Sequence, residues 1–439
     1  MTTRTRRGII ALFGLVALVM LVQKILDVRA DRHLQSVVAE LTHKYGSLYP
    51  GILNLPKVPA DENRAAYLRA ATELVVFESD TWKWIPRAHG ETRLGALDTH
   101  LSALQALLAR NAVPLELARK SRGLSKSNWD IQYASDIYAN HLPNERIRYL
   151  SSLLHAGSLV ELKEDRPDVA LDWIETALAL AGSLREQPRP IVLLYVMGDG
   201  TAPLSALREV LIQSEPSAAA LASVQRAIEI ECAPTAASRS MFVEMLGIHE
   251  YFRESESGDS GWPLWGFGRS AFSSLPDWRP FRWVVHPLIA ELHALALERA
   301  ETASRFADTL PYRRHGNPVK TFDEERVPWW LRWLSPSFPH DFWTITIDDT
   351  YINRTRVGVA IASVALRRYR IDHGAYPDRL ESLCPAYLKE IPIDLLTGEP
   401  VAYKRLGEGF ELRGTPAPRD PEASPRRKYD SVLSWTIPR

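Results

Sequence analysis

The chain has 439 residues, room for two to three domains, and its 46% hydrophobic content supports a sizeable buried core. Lys plus Arg total 53 and Asp plus Glu total 53, so the formal net charge is zero. The absence of a basic excess argues against nucleic acid as a partner, and two cysteines, Cys232 and Cys384, are too few for a four-cysteine metal site and read as two separate buried thiols.

At the N-terminus, Arg4, Arg6 and Arg7 precede an unbroken apolar run from Gly8 to Val22. Counted on to Leu26 the run is 19 residues, close to the ~20 that span a hydrocarbon core, and Lys24 can snorkel. The basic flank predicts a cytoplasmic N-terminus and an extracytoplasmic body. The rival reading is a signal peptide cleaved near Ala30, because Val28-Arg29-Ala30 fits the small-x-small rule.

Residues 28–254 read as a helical body. Asp61-Glu62-Asn63 predicts a helix start before Ala65, and Leu97, Leu101, Leu104, Leu107 and Leu108 recur at helical spacing from Leu94 onward. Two adjacent helices carry Leu150, Leu153 and Leu154, then Ala170, Leu171, Ile174, Ala177 and Leu178, with Pro167 placed to start the second. The pair resembles one tetratricopeptide unit, with Ala156-Gly157 as its small close-packed site. No second copy follows at a fixed period, so the expectation is an irregular solenoid. Further helices are expected at 188–198, 203–214, 217–231 and 236–254, with Met197-Gly198-Asp199-Gly200-Thr201 as a loop.

Residues 255–349 hold Trp262, Trp265, Trp278, Trp283, Trp329, Trp330, Trp333 and Trp343, eight of the 13 tryptophans. One helix is predicted there, from Val284 to Ala307. Trp329, Trp330 and Trp333, with Arg332 among them, form the candidate partner-binding cluster, since indole rings stack on sugars, peptides or lipid headgroups. The competing reading is that these rings cap the core.

From 350 the chain predicts a small α+β module: a helix Arg354–Ile371 ending at His373-Gly374, a turn at Tyr376-Pro377, a short helix Arg379–Leu383, and three antiparallel strands around Val401–Arg405, Phe410–Leu412 and Val432–Thr436. Tyr369, His373-Gly374, Tyr376-Pro377, Leu380, Pro392, Asp394, Thr397-Gly398, Pro400, Tyr403 and Gly409-Phe410 together resemble the globular region of the type II secretion pseudopilins. That resemblance implies one long helix packed on a three-stranded sheet. It does not carry the family's calcium site, because Asp420, Glu422 and Asp430 are interleaved with Arg419, Arg426, Arg427 and Lys428. Nor does it reach the N-terminus, where Phe13 stands in place of the Glu that prepilin leaders carry after the cut. The anchor, helical middle and tail also resemble large envelope proteins of planctomycete-type bacteria, which implies location and no activity.

Motifs for chemistry are missing: no phosphate loop, zinc helix or nucleophile elbow. His286 and His293 read as separate surface or capping residues, Asp348-Asp349 as favourable charge before a helix, and Asn353-Arg354-Thr355 as a chance glycosylation triplet. No catalytic, cofactor or metal residue is assigned. The expectation is a mainly α, membrane-anchored protein that binds or scaffolds a partner in the envelope. The alternatives are an envelope enzyme acting on glycans or peptides, and an accessory component of a type II secretion-like system.

Overall fold

The computed structural model describes residues 3–76, 100–131, 133, 144–185, 187, 190–234, 237–257, 279–314, 340–414 and 434–438. Eleven α-helices and one three-stranded sheet are present among them. The segments holding Leu94 and Leu97, Trp262, Trp265 and Trp278, and Asp420, Glu422 and Asp430 lie outside the described residues.

Helix α1, Thr3–Tyr45, is unbroken and has two unlike halves. From Ile10 to Leu26 its apolar side chains are exposed, and it alone among the described helices is long and apolar enough to cross a membrane. Beyond Leu26 it joins the body. Asp27, Ala30, Leu34, Val37 and Leu41, spaced alternately by three and four, turn inward, the spacing of a helix–helix seam.

The body follows as helical hairpins: α2 Arg64–Leu74, α3 Leu101–Arg110, α4 Ala112–Ser121, α5 Asn144–Lys163, α6 Pro167–Ser183, α7 Pro190–Gln213, α8 Ala218–Glu231, α9 Ala237–Ser257 and α10 Arg279–Asp308. Asn63 caps α2 by accepting the Ala65 N–H at 3.1 Å. Pro167 opens α6, where its missing N–H costs nothing. Helix α6 packs on α4, α5, α7 and α8, and thirteen of its residues are buried, as expected of a helix apolar on most sides. Gly157 lets α5 approach it: a Cβ there would meet the Trp173 ring at 2.6 Å.

Two expectations fail in instructive ways. Helices 188–198 and 203–214 are one helix, α7, which runs through Met197–Thr201 with Pro203 inside it. Local breakers are overridden because Ala202, Leu204, Ala206, Leu207, Val210 and Leu211 are all buried against neighbouring helices. The late helix, α11, starts at His340 rather than Arg354 and runs to His373, so Asp348-Asp349 lie within it. Its added turns bury Thr346, Ile347 and Tyr351, and the Tyr351 hydroxyl donates to the Ala307 carbonyl at the end of α10, 2.5 Å away.

Helix α11 packs on α7 and α8 and also meets the sheet. Strands β1 Ala402–Leu406, β2 Gly409–Arg413 and β3 Ser434–Ile437 lie antiparallel in the order β1-β2-β3. Phe410 and Leu412 of the central strand are fully buried. Gly374 ends α11 with φ +76°, its N–H bonded to the Arg370 carbonyl at 2.8 Å. The short element after it is a 3-10 turn, Leu380–Leu383. Tyr376 is buried edge-on to Phe410, with ring centroids 5.0 Å apart.

Candidate functional site

The candidate cluster Trp329, Trp330 and Trp333 lies outside the described residues. Of the eight tryptophans in that region, Trp283 is the one whose side chain is described, and it is exposed on α10.

A cavity of about 240 Å³ opens where the helical body meets the C-terminal module. Glu215 and Pro216 in the α7–α8 turn and Leu221 of α8 form one wall, and Arg367, Arg370, Ile371 and Gly374 form the other. Two arginines three apart on α11 share a face, so both reach the same wall. Arg370 Nη1 lies 3.2 Å and Arg367 Nη1 3.8 Å from Glu215 Oε1. Arg367 is buried, donates to the Leu211 carbonyl and leaves its Nε without a hydrogen-bond partner. Burial pushes the Arg367 guanidinium below its ordinary value. It pushes the Tyr376 hydroxyl up, against the opposing pull of Arg367 and Arg370. Two guanidiniums against one exposed carboxylate leave an excess positive charge, suited to a carboxylate or phosphate oxygen. The seven lining residues include no Ser, Cys, Thr or Lys, and the one carboxylate, Glu215, is engaged by arginine.

A second polar cluster sits where α1 joins α10. Asp27 Oδ1 is 2.6 Å from His286 Nδ1, and the Lys24 ammonium is 3.2 Å from Asp27 Oδ2. Asp27, Asp31 and His286 each bring one ligand atom within 4.8 Å of the others. Both Asp27 oxygens are already occupied by Lys24 and His286, which makes this an ion-pair collar first.

The two histidines read as separate are indeed apart in role, but His293 is neither surface nor cap. It is buried, with Nε2 3.1 Å from His249 Nδ1 and its ring stacked on Phe252 at 4.6 Å. Burial, with a smaller push from His249, brings His293 down to about 3, and burial alone brings His155 down to about 4. Cys232 and Cys384 are free and half-buried. Burial, helped by neighbouring Glu231, pushes the Cys232 thiol up to about 12, so it is no thiolate nucleophile.

Sequence reading missed the arginine pocket and the collar, because each pairs residues more than 150 apart in the chain, such as Glu215 with Arg370 and Asp27 with His286. The one local signal was polar Gln23, Lys24 and Asp27 at the end of an apolar run. Comparison with family models, curated proteins and solved structures returns no match to this chain.

Proposed function

We propose that this is an envelope protein held in the cytoplasmic membrane by α1, N-terminus inside, whose extracytoplasmic body binds or scaffolds a protein partner and catalyses no reaction. The observation that carries the reading is the division within α1: exposed apolar residues from Ile10 to Leu26, then a seam packed into the body. Arg4, Arg6 and Arg7 support the orientation. Retention is supported at the cleavage-like triplet Val28-Arg29-Ala30. It lies inside the continuous helix, and Asp27 and Ala30 are only 8% and 4% exposed. Unwinding that turn for a peptidase would strip α1 from α10. The arginine pocket supplies a contact for an acidic group of the partner.

N-terminal sequencing with alkaline carbonate extraction tests the anchor. The expected result is an intact Met1–Arg7 in the membrane pellet; a soluble chain starting at Asp31 would overturn it. Partner capture from cross-linked membranes, wild type against Arg370→Glu, tests the body. Loss of one cross-linked species in the variant is expected, and no species in either would end the scaffolding reading.

The α11-on-sheet arrangement favours one second reading, an accessory part of a type II secretion-like system. Its test is a cut after Gly8, which an intact Met1–Arg7 rules out.

A further inference from the structure

Helices α1 and α10 run in the same direction. Gln23 meets Trp283 and Val284, Asp27 meets His286, His33 meets Glu291 and Glu298, and Lys44 and Tyr45 meet Glu301. The start of α10 therefore points at the apolar half of α1. Gln23 occupies the next position of the inward seam before Asp27, so the pairing extends below the collar, among residues whose neighbours on α1 are apolar and exposed. At 1.5 Å per residue, Gln23 lies about 4.5 Å deeper than Leu26, the last apolar residue of the run. Trp283 and Val284 share that depth, and they are 39% and 53% exposed.

The first turn of α10 also carries Arg279 and Arg282, so its chemistry fits the headgroup level of a bilayer rather than the acyl core. Pro287 interrupts α10 and brings no N–H for the carbonyl of Trp283 four residues earlier. In water that carbonyl would be hydrated, whereas in a bilayer it must find a protein donor. Gln23 Nε2 donates to it at 2.7 Å and to the Val284 carbonyl at 3.0 Å. A polar residue inside an apolar span is thus used to close a backbone defect of the neighbouring helix. Tryptophan is the side chain most at home at the level where headgroups meet acyl chains.

We infer that the first turns of α10 enter the bilayer leaflet on the body's side, with Trp283 and Val284 contacting phospholipid beside α1. The protein then stands on two helices, one spanning and one dipping in, with Gln23 joining them. This rests on the anchored reading of α1.

Full-length protein with Cys232→Ala and Cys384→Ala, carrying one spin label at a time at Leu18→Cys, Trp283→Cys or Arg305→Cys, would be placed in phosphatidylcholine–phosphatidylglycerol nanodiscs. Collisions with oxygen and with a water-soluble nickel chelate are then compared. The expected pattern is oxygen-dominated at 18, oxygen-favoured but shallower at 283, and nickel-dominated at 305. Nickel dominance at 283 with oxygen dominance at 18 overturns the dipping helix and leaves the anchor standing. Nickel dominance at both defeats the anchor as well. Shielding from both reagents at 283 would mean a second copy covers the site, and would also overturn the proposal. Brominated lipid gives a check free of cysteine substitution: it should quench wild-type fluorescence more than that of Trp283→Phe, and equal quenching would count against the contact.

Discussion

The two longest helices distribute their side chains in opposite ways. In α1 the exposed stretch is apolar and the packed stretch carries Asp27, His33, Lys44 and Tyr45, each bonded to α10. In α11 the packed stretch is Val359, Ala360, Ala362, Val364, Ala365 and Leu366, while Asp372 and His373 at its end face out. Helix α11 obeys the rule for a helix in water, burying what water rejects. Helix α1 inverts it over its first half and obeys it afterwards. The inversion is intelligible if the two halves meet different solvents. Polar bonds rather than bulk apolar contact then register the helix pair at the boundary, since in lipid apolar surface gains little by packing.

The largest effect predicted for a single substitution tests the packed side. Arg64 is buried and pairs with Glu231 at 2.6 Å, joining α2 to α8. Arg64→Ala should cost ~3–5 kcal/mol by leaving Glu231 unpaired. Chemical denaturation should read this as a large drop in midpoint, and Arg64→Met with Glu231→Leu should recover part of it. A neutral Arg64→Ala would mean the pair is solvated.

Next comes the exposed apolar half of α1. Leu18→Arg should cost ~2.5–3.5 kcal/mol of insertion and move protein from membrane pellet to supernatant, leaving the thermal transition of the body unchanged. If the body melts earlier instead, the exposed half of α1 is part of the core and the contrast with α11 collapses.

The buried rings predict a pH dependence confined to the body. Unfolded histidine takes up a proton near 6.5, but folded His155 does so at about 4 and folded His293 at about 3. Below pH 6.5 the unfolded state therefore binds more protons, and stability falls as pH drops toward 4. The slope is about 1.4 kcal/mol per pH unit for each ring. Melting curves from pH 8 to 4.5 should be flat above 7 and fall below 6.5, with a shallower fall in His155→Asn. A flat profile would mean both rings are solvated.

Smallest, Gln23→Leu should cost ~1–3 kcal/mol by orphaning the Trp283 carbonyl of α10. The loss should appear as faster amide exchange at the start of α10 in nanodiscs. No change there would mean water reaches that carbonyl.

Much of the architecture was legible. The apolar run of α1, the α5–α6 hairpin with Pro167 at its turn, the Gly374 stop and the three strands all follow from local rules that act within one turn or one hairpin. The failures share a cause. Gly198, Gly200 and Pro203 signal a break, and Asp348-Asp349 signals a helix start, yet both stretches are helical because burial of their flanks outweighs about one kcal/mol of propensity per glycine. The indole cluster proposed from composition lies outside the described residues, whereas the arginine pocket depended on a turn and a helix end that lie far apart in sequence.

Hydropathy and basic flank alone determined that one segment suits a bilayer, because transfer to lipid depends on composition summed over some 20 residues. Helical spacing alone determined that the body is built of hairpins. Tertiary structure decided where the exposed apolar half of α1 gives way to its packed half, and that Gln23 serves the Trp283 carbonyl that Pro287 leaves free in α10. It also decided that Arg367 and Arg370 face Glu215 across a cavity. Each of these is a meeting of residues distant along the chain, and only packing brings such residues within a few ångströms.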